Sequence, residues 1–221
     1  MGRPSPAVQD YLKAVYRLAE EDVDDGLIGT SQVADALGVS AASASNMLRR
    51  LDELGLVRQT PRQGVALTDE GRQAALEVVR HHRLLETYLA RKLGMPWDEV
   101  HDEAEVLEHH ISEALEQRIS EALGHPEHDP HGDPIPTLGG EVAAVPADLL
   151  VDMRDGATVS VARVSDRDPA LLRYLAQRGL VPGAQVTVVG RQPFGGPISL
   201  RVGGATLIEI PPDAARAVHV Q

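Results

Sequence analysis

The sequence predicts a mainly α-helical chain with small β parts: an N-terminal winged helix-turn-helix, a helical middle and a C-terminal SH3-like small β-barrel. Three observations carry this. Helical periodicity runs through residues 5–54, broken by glycines, and gives way to a hairpin. Two longer helical patterns follow, and from Ala157 the texture changes to short valine-rich runs between Gly/Pro turns. A chain of 221 residues can bury two or three modest cores. We divide it into a DNA-binding domain (1–72), a helical domain (73–140), a linker (141–155) and a barrel (156–221).

The elements follow in order. Val8, Tyr11, Leu12, Val15, Leu18 and Ala19 recur at three- and four-residue steps, predicting a helix over 5–21, with a polar turn over 22–29. Thr30 or Ser31 can cap a short helix that turns Val33, Ala34 and Leu37 inward and stops at Gly38. Ser40 caps a second helix to about Leu54, burying Ala44, Met47, Leu48 and Leu51, with Gly55 as its stop. Residues 56–59 and 65–67 form strands around a turn at Pro61 to Gly64. Thr68 opens a long helix to Leu93, Gly94-Met95-Pro96 breaks it, and Trp97 to Leu123 forms the next helix, ended by Gly124. Residues 124–140 read as ordered turn, and 169–178 as the one short helix of the barrel.

Composition narrows the chemistry. Without cysteine there is no disulfide, thiolate site or cysteine nucleophile, so any metal must be held by His, Asp and Glu. The amphipathic start and the lack of a long apolar run point to a cytoplasmic protein with no membrane partner. The net charge of −12 weighs against nucleic acid at first sight. Yet residues 1–75 carry 8 basic and 11 acidic groups against 13 and 22 in the rest, and Arg49, Arg50, Arg58 and Arg62 outnumber Asp52 and Glu53 between 40 and 65.

Helix, glycine turn, helix and hairpin is the sequence form of a winged helix-turn-helix. The second helix must present short polar side chains to the major groove. Here it offers Ser40, Ala42, Ser43, Ser45 and Asn46, then Arg49 and Arg50. Thr30 and Ser31 at the preceding helix start and Arg62 at the hairpin tip would meet the DNA backbone. A helical hairpin with an ordinary solvated face is the bland alternative.

Eight of the nine histidines fall between residues 81 and 131. On a single helix from Trp97, His101, Glu105, Glu108 and His109 share one face beside an apolar stripe of Val100, Ala104, Leu107, Ile111 and Leu115. His82 and Glu86 form an i,i+4 pair on the helix before. Imidazole and carboxylate without sulfur favour Mn²⁺ or Fe²⁺, with Zn²⁺, Co²⁺ or Cd²⁺ as substitutes in vitro. His125, His128 and His131 read as surface-loop residues, and His219 is assigned nothing.

Several motifs in the right order resemble one family, the metal-dependent repressors that include the diphtheria toxin repressor and the manganese transport regulators. The carrying stretches are Asp10-Tyr11-Leu12, the Ser40 to Arg50 helix, His81 to Glu86, His101 to Glu105 with Glu108-His109-His110, and His131 to Pro136. The likeness is close over 5–140 and looser in the barrel.

The resemblance implies a regulatory metal site of Asp10, Glu105, Glu108 and His109, with carboxylates at the two positions where iron-type members carry sulfur, favouring Mn²⁺. Lys13 departs from the short manganese regulators, which have Glu there, and leaves open whether one ion or two are held. A second site resembles His82, Glu86 and His101, completed from the barrel, where Asp166 and Asp168 are the candidates. The family also implies a homodimer built on the Leu107/Ile111/Leu115 stripe and a palindromic DNA operator. Asp10 would be a hinge that lets a bound ion tie the DNA-binding half to the dimer half. The function implied is a metal-dependent, Mn(II)-responsive repressor and not an enzyme. An Fe(II)-responsive repressor, a metal-independent winged-helix regulator and a di-metal hydrolase are the rivals, the last lacking an evident nucleophile or phosphate clamp.

Overall fold

The structure, a computed structural model, describes residues 4–21, 27–146 and 148–221. Most of the polar turn expected over 22–29 therefore lies outside the described residues. The chain forms two compact units: Met1–His81 with Glu108–His110 and Pro136–Glu141, and His82–Leu107 with Ile111–Ile135 and Val142–Gln221.

The first unit holds the winged helix. Helix α1 (Pro6–Glu21) buries Val8, Tyr11, Leu12, Val15 and Tyr16. Helix α2 (Thr30–Ala36) is capped by Gly29 rather than by Thr30 or Ser31, because the Gln32 side-chain oxygen accepts from the Gly29 N–H at 2.8 Å. Both hydroxyl residues thus fall inside the first turn. Helix α3 (Ala41–Glu53) starts as expected, the Ser40 hydroxyl accepting from the Ser43 N–H, and turns Ala44, Leu48 and Leu51 into the core.

Strands β1 (Val57–Thr60) and β2 (Gly64–Leu67) pair antiparallel, with Val57 opposite Leu67 and Thr60 opposite Gly64. Helix α4 (Asp69–Leu93) opens on Thr68, whose hydroxyl accepts from the Gly71 N–H and donates to the Gly55 carbonyl. Gly71 is required here, since a Cβ would lie 1.7 Å from the Leu56 carbonyl oxygen.

The second unit begins at His82 within α4. The single helix expected over 97–123 is two: α5 (Val100–Leu107) and α6 (Glu113–Leu123). Ser112 restarts the helix, its side chain accepting from the Leu115 N–H, and Glu113 and Glu116 complement the exposed N–H groups of the first turn. Gly124, at φ 75°, closes α6. Ile111, expected on the dimer stripe, packs within the chain with Leu84, Leu85, Ala104, Ile119 and Ile135.

The C-terminal part is a five-stranded antiparallel sheet: β3 (Thr158–Val164), β4 (Gln185–Arg191), β5 (Ile198–Val202), β6 (Thr206–Ile210) and β7 (Val218–Val220), ordered β6-β5-β4-β3-β7. Register shifts at Val161/Arg163 and Val188/Gly190 bend it. Val161, Val186, Val188, Leu200 and Val218 of the sheet share one buried core with Leu172 and Leu175 of α7 (Pro169–Ala176), and α8 (Pro212–Arg216) precedes β7. Leu150, inside the segment read as a linker, is fully buried in this core. No described helix is long and apolar enough to cross a membrane.

Candidate metal centres and nucleic-acid interface

In the first unit, α1 places Gln9, Asp10 and Lys13 on one side, where they meet the turn that follows α5. His109 Nε2 lies 2.9 Å from Asp10 Oδ1 and 3.5 Å from Glu108 Oε1. Its other ring nitrogen, Nδ1, faces the Gln9 side-chain oxygen at 2.7 Å. An amide oxygen only accepts, so Nδ1 donates to Gln9, and Nε2 is left either to donate to Asp10 or, without its hydrogen, to hold an ion. Lys13 Nζ is 2.5 Å from Glu108 Oε1, and both residues are buried. Asp10, Glu108 and His109 offer three donor atoms within 4.8 Å of one another.

Helix α5 ends at Leu107, and Glu108 and His109 lie in the turn that follows it, beside α1. Glu105 stays on α5, with its Oε1 3.6 Å from His101 Nε2 and 3.8 Å from His82 Nδ1.

The second unit holds a deeper group. His82 Nε2 lies 2.9 Å from Glu86 Oε1 and 3.2 Å from His101 Nδ1, and the latter is 3.3 Å from Glu86 Oε1 and 3.7 Å from Asp166 Oδ2. Asp168, the other barrel candidate, is not in the group: its side chain accepts from the Ala170 N–H and caps α7.

Sequence reasoning missed two members. Asp129 and His131 are both buried beside Glu86, whereas His131 was expected on the surface. His131 Nε2 bonds the Trp97 carbonyl at 2.7 Å, so that nitrogen carries the hydrogen, and the ring stacks on Trp97. Its Nδ1 faces Glu86 Oε2 at 3.8 Å, and neither atom has a hydrogen-bond partner. At 3.8 Å a protonated His131 pairs with Glu86 as an ion pair, and a metal cation fits between the two atoms only once the ring gives up that proton.

The turn presenting His131 is pinned on all sides. Asp129 Oδ1 accepts from the N–H groups of His131 and Asp133, Arg83 donates to the Pro134 carbonyl and to Asp133, and Arg163 of β3 lies 2.8 Å from Asp133. The Val164 N–H bonds the His131 carbonyl, and Gly132 passes so close to Ala162 that a Cβ would sit 2.1 Å from its carbonyl oxygen.

Charge in this group is strongly coupled. Burial alone would raise the Glu86 carboxyl, but the His82 charge and contacts with His101, His131 and His82 hold it well below the usual range. Burial, reinforced by the charges of Asp133 and Glu86, pushes Asp129 well up. Burial would lower His131, yet the neighbouring Glu86 and Asp129 carboxylates and the Trp97 carbonyl raise it to about 9.

On α3, Ala42, Ser43, Asn46, Arg49 and Arg50 are exposed opposite the buried Ala44, Leu48 and Leu51, with Ser45 half-buried at the edge. Ser40 and Ser43 bond each other in the cap. Arg62 is exposed at the hairpin tip with φ 64°. Ser31 is exposed and Thr30 half-buried at the start of α2.

Comparison with known proteins agrees along almost the whole chain. Residues 5–65 match the iron dependent repressor N-terminal DNA binding domain, 68–137 its metal binding and dimerisation domain, and 149–221 the FeoA domain. The iron-dependent repressor IdeR of Mycobacterium tuberculosis is 34% identical, over 96% of this chain and 95% of that protein. The transcriptional regulator MntR of Geobacillus kaustophilus is 33% identical over 49% of this chain and 74% of its own length. A solved manganese-dependent transcriptional repressor in complex with manganese is 47% identical with a TM-score of 0.90, covering 97% of this chain and 99% of that one. With its helix-turn-helix and convergent His/carboxylate donors, the chain belongs to the iron-dependent repressor family of metal-dependent, DNA-binding transcriptional repressors.

Proposed function

We propose that this chain is a Mn(II)-responsive repressor that binds a palindromic operator as a homodimer in the cytoplasm, with regulation rather than catalysis as its role. The observation that carries the metal is the donor set: both groups consist of carboxylate and imidazole, and the chain has no cysteine. Asp10, Glu108 and His109 form the regulatory site. A bound ion there neutralises two carboxylates and ties α1 to the turn between α5 and α6. Because α1 packs on α2 and β2 of the winged helix, fixing it fixes the base on which α3 stands. Gln9 orients His109 for this role.

His82, Glu86, His101 and Asp166, extended by Asp129 and His131, form the second site, with Glu105 beside His82 and His101. Ala42, Asn46, Arg49 and Arg50 face the major groove, and Arg62 the flanking backbone. Val106, Leu107 and Leu115 are exposed apolar residues on α5 and α6, and they supply the dimer surface.

The identity to IdeR favours a second reading, Fe(II) as the signal. Anisotropy titrations of operator DNA selected from random sequence, with Mn²⁺, Fe²⁺ or chelator, separate the two. The proposal expects binding at the lowest free Mn²⁺ and none with chelator; equal binding in chelator would contradict it.

A further inference from the structure

We infer that Trp97 is a positioning residue of the deep metal site, fixing which ring nitrogen of His131 meets the ion; this rests on the second site proposed above. Trp97 lies in the connection between α4 and α5, shortly before the donor His101. It grips His131 twice. Its carbonyl accepts from His131 Nε2 at 2.7 Å, and its indole stacks on the imidazole with ring centroids 5.5 Å apart and planes 29° from parallel. A carbonyl cannot donate, so Nε2 keeps its hydrogen and Nδ1 is left for an ion, on the side where Glu86 Oε2 stands.

Backbone bonds place the turn itself: the His131 carbonyl accepts from the Val164 N–H, and the His131 N–H donates to Asp129. Neither restrains rotation of the imidazole about its side-chain bonds. The Trp97 carbonyl and indole face do. A flipped ring would give up the carbonyl bond, at a cost that is high because His131 is fully buried. The grip is anchored in turn. Trp97 packs on the barrel core, and Asp98 beside it pairs with Arg173 of α7 at 3.0 Å. Asp166, the barrel's donor, lies just before the Asp168 cap of the same helix, with Oδ2 3.7 Å from His101 Nδ1. One short segment thus holds the His131 ring directly and the base of Asp166 through α7, as outer-shell partners hold the ligands of a metal.

The test uses full-length protein carrying Asp10→Asn and His109→Ala, so that the deep group is read without the regulatory site. With diamagnetic Cd²⁺ bound, NMR shifts of the histidine ring nitrogens should show His131 coordinating through Nδ1 with the hydrogen on Nε2. Coordination through Nε2 overturns the inference and needs no further variant. Adding Trp97→Leu should weaken Mn²⁺ binding by about 10- to 100-fold, the usual cost of losing an outer-shell partner, and Trp97→Phe, which keeps an aromatic face, should recover most of it. Leu200→Ala removes volume from the same core on β5, which is separated from β3 by β4, and should lower stability with Mn²⁺ affinity unchanged. Unchanged affinity in Trp97→Leu, or an equal loss in Leu200→Ala, makes Trp97 a packing residue only. If Glu86→Gln binds Mn²⁺ as tightly as its parent, the second site itself is overturned.

Discussion

The two His/carboxylate groups are built on opposite plans. Around Glu86, the donors come from α4, α5, the 129–131 turn and the barrel; His82, Glu86, Asp129 and His131 are buried, His101 and Asp166 half-buried, and the turn is pinned by Arg83, Arg163 and backbone bonds. Around His109, the donors come from one helix and one turn, and Asp10 keeps 38% of its side chain exposed. Depth makes the Glu86 group part of what holds its unit together, because buried charges left without partners are costly. Shallowness suits the His109 group to signalling, since an ion can enter and leave without opening a core.

This contrast can be broken most forcefully at Arg83. Replacing Arg83 with Met removes the ion-pair partner of Asp129 and leaves Asp133 with Arg163 alone, and the loss of a buried ion-pair partner should cost about 3–5 kcal/mol, read by denaturant unfolding of metal-free protein. A loss below about 1 kcal/mol would mean that the pinned turn contributes little. The shallow group should answer differently. Asp10→Ala should leave metal-free stability nearly unchanged and reduce the Mn²⁺ enhancement of operator binding by roughly 5- to 150-fold, the usual range of allosteric coupling.

Two smaller effects sharpen the picture. Asp168→Ala should cost about 0.5–2 kcal/mol through the lost α7 cap and leave the Mn²⁺ count untouched, whereas a ligand would change the count. Arg50→Ala should weaken operator binding about equally for matched and mismatched sequences and lower the salt slope by about one, as a phosphate contact does. Loss of discrimination between sequences would instead make Arg50 a base reader.

Much of this was legible in the sequence, for reasons that differ by element. The winged helix was readable because its signals are local: apolar steps in α1 and α3, the Ser40 cap, and glycines at 38, 55 and 71. His82 and Glu86 were readable as an i,i+4 pair. The break between α5 and α6 was not, because Ala104, Leu107, Ile111 and Leu115 continue the helical apolar period straight across it. Ser112 followed by Glu113 and Glu116 was the available cap signal.

Asp129 and His131 were missed because their burial comes from non-local partners on α4 and β3, which no local pattern reports. Gln9 and the Lys13–Glu108 pair were hidden for the same reason: the contacts join residues 100 and 95 positions apart. Asp168 lies outside the group for a local reason that was visible, since an Asp directly before Pro169 is a helix-cap pattern.

The central claim is that an ion at Asp10, Glu108 and His109 controls DNA binding. The most direct measurement is operator affinity by fluorescence anisotropy across a free-Mn²⁺ series, for wild type and His109→Ala side by side. The account predicts that wild type gains affinity with Mn²⁺ while His109→Ala stays at the metal-free level with its fold intact by circular dichroism. An identical Mn²⁺ response in the two proteins would contradict it.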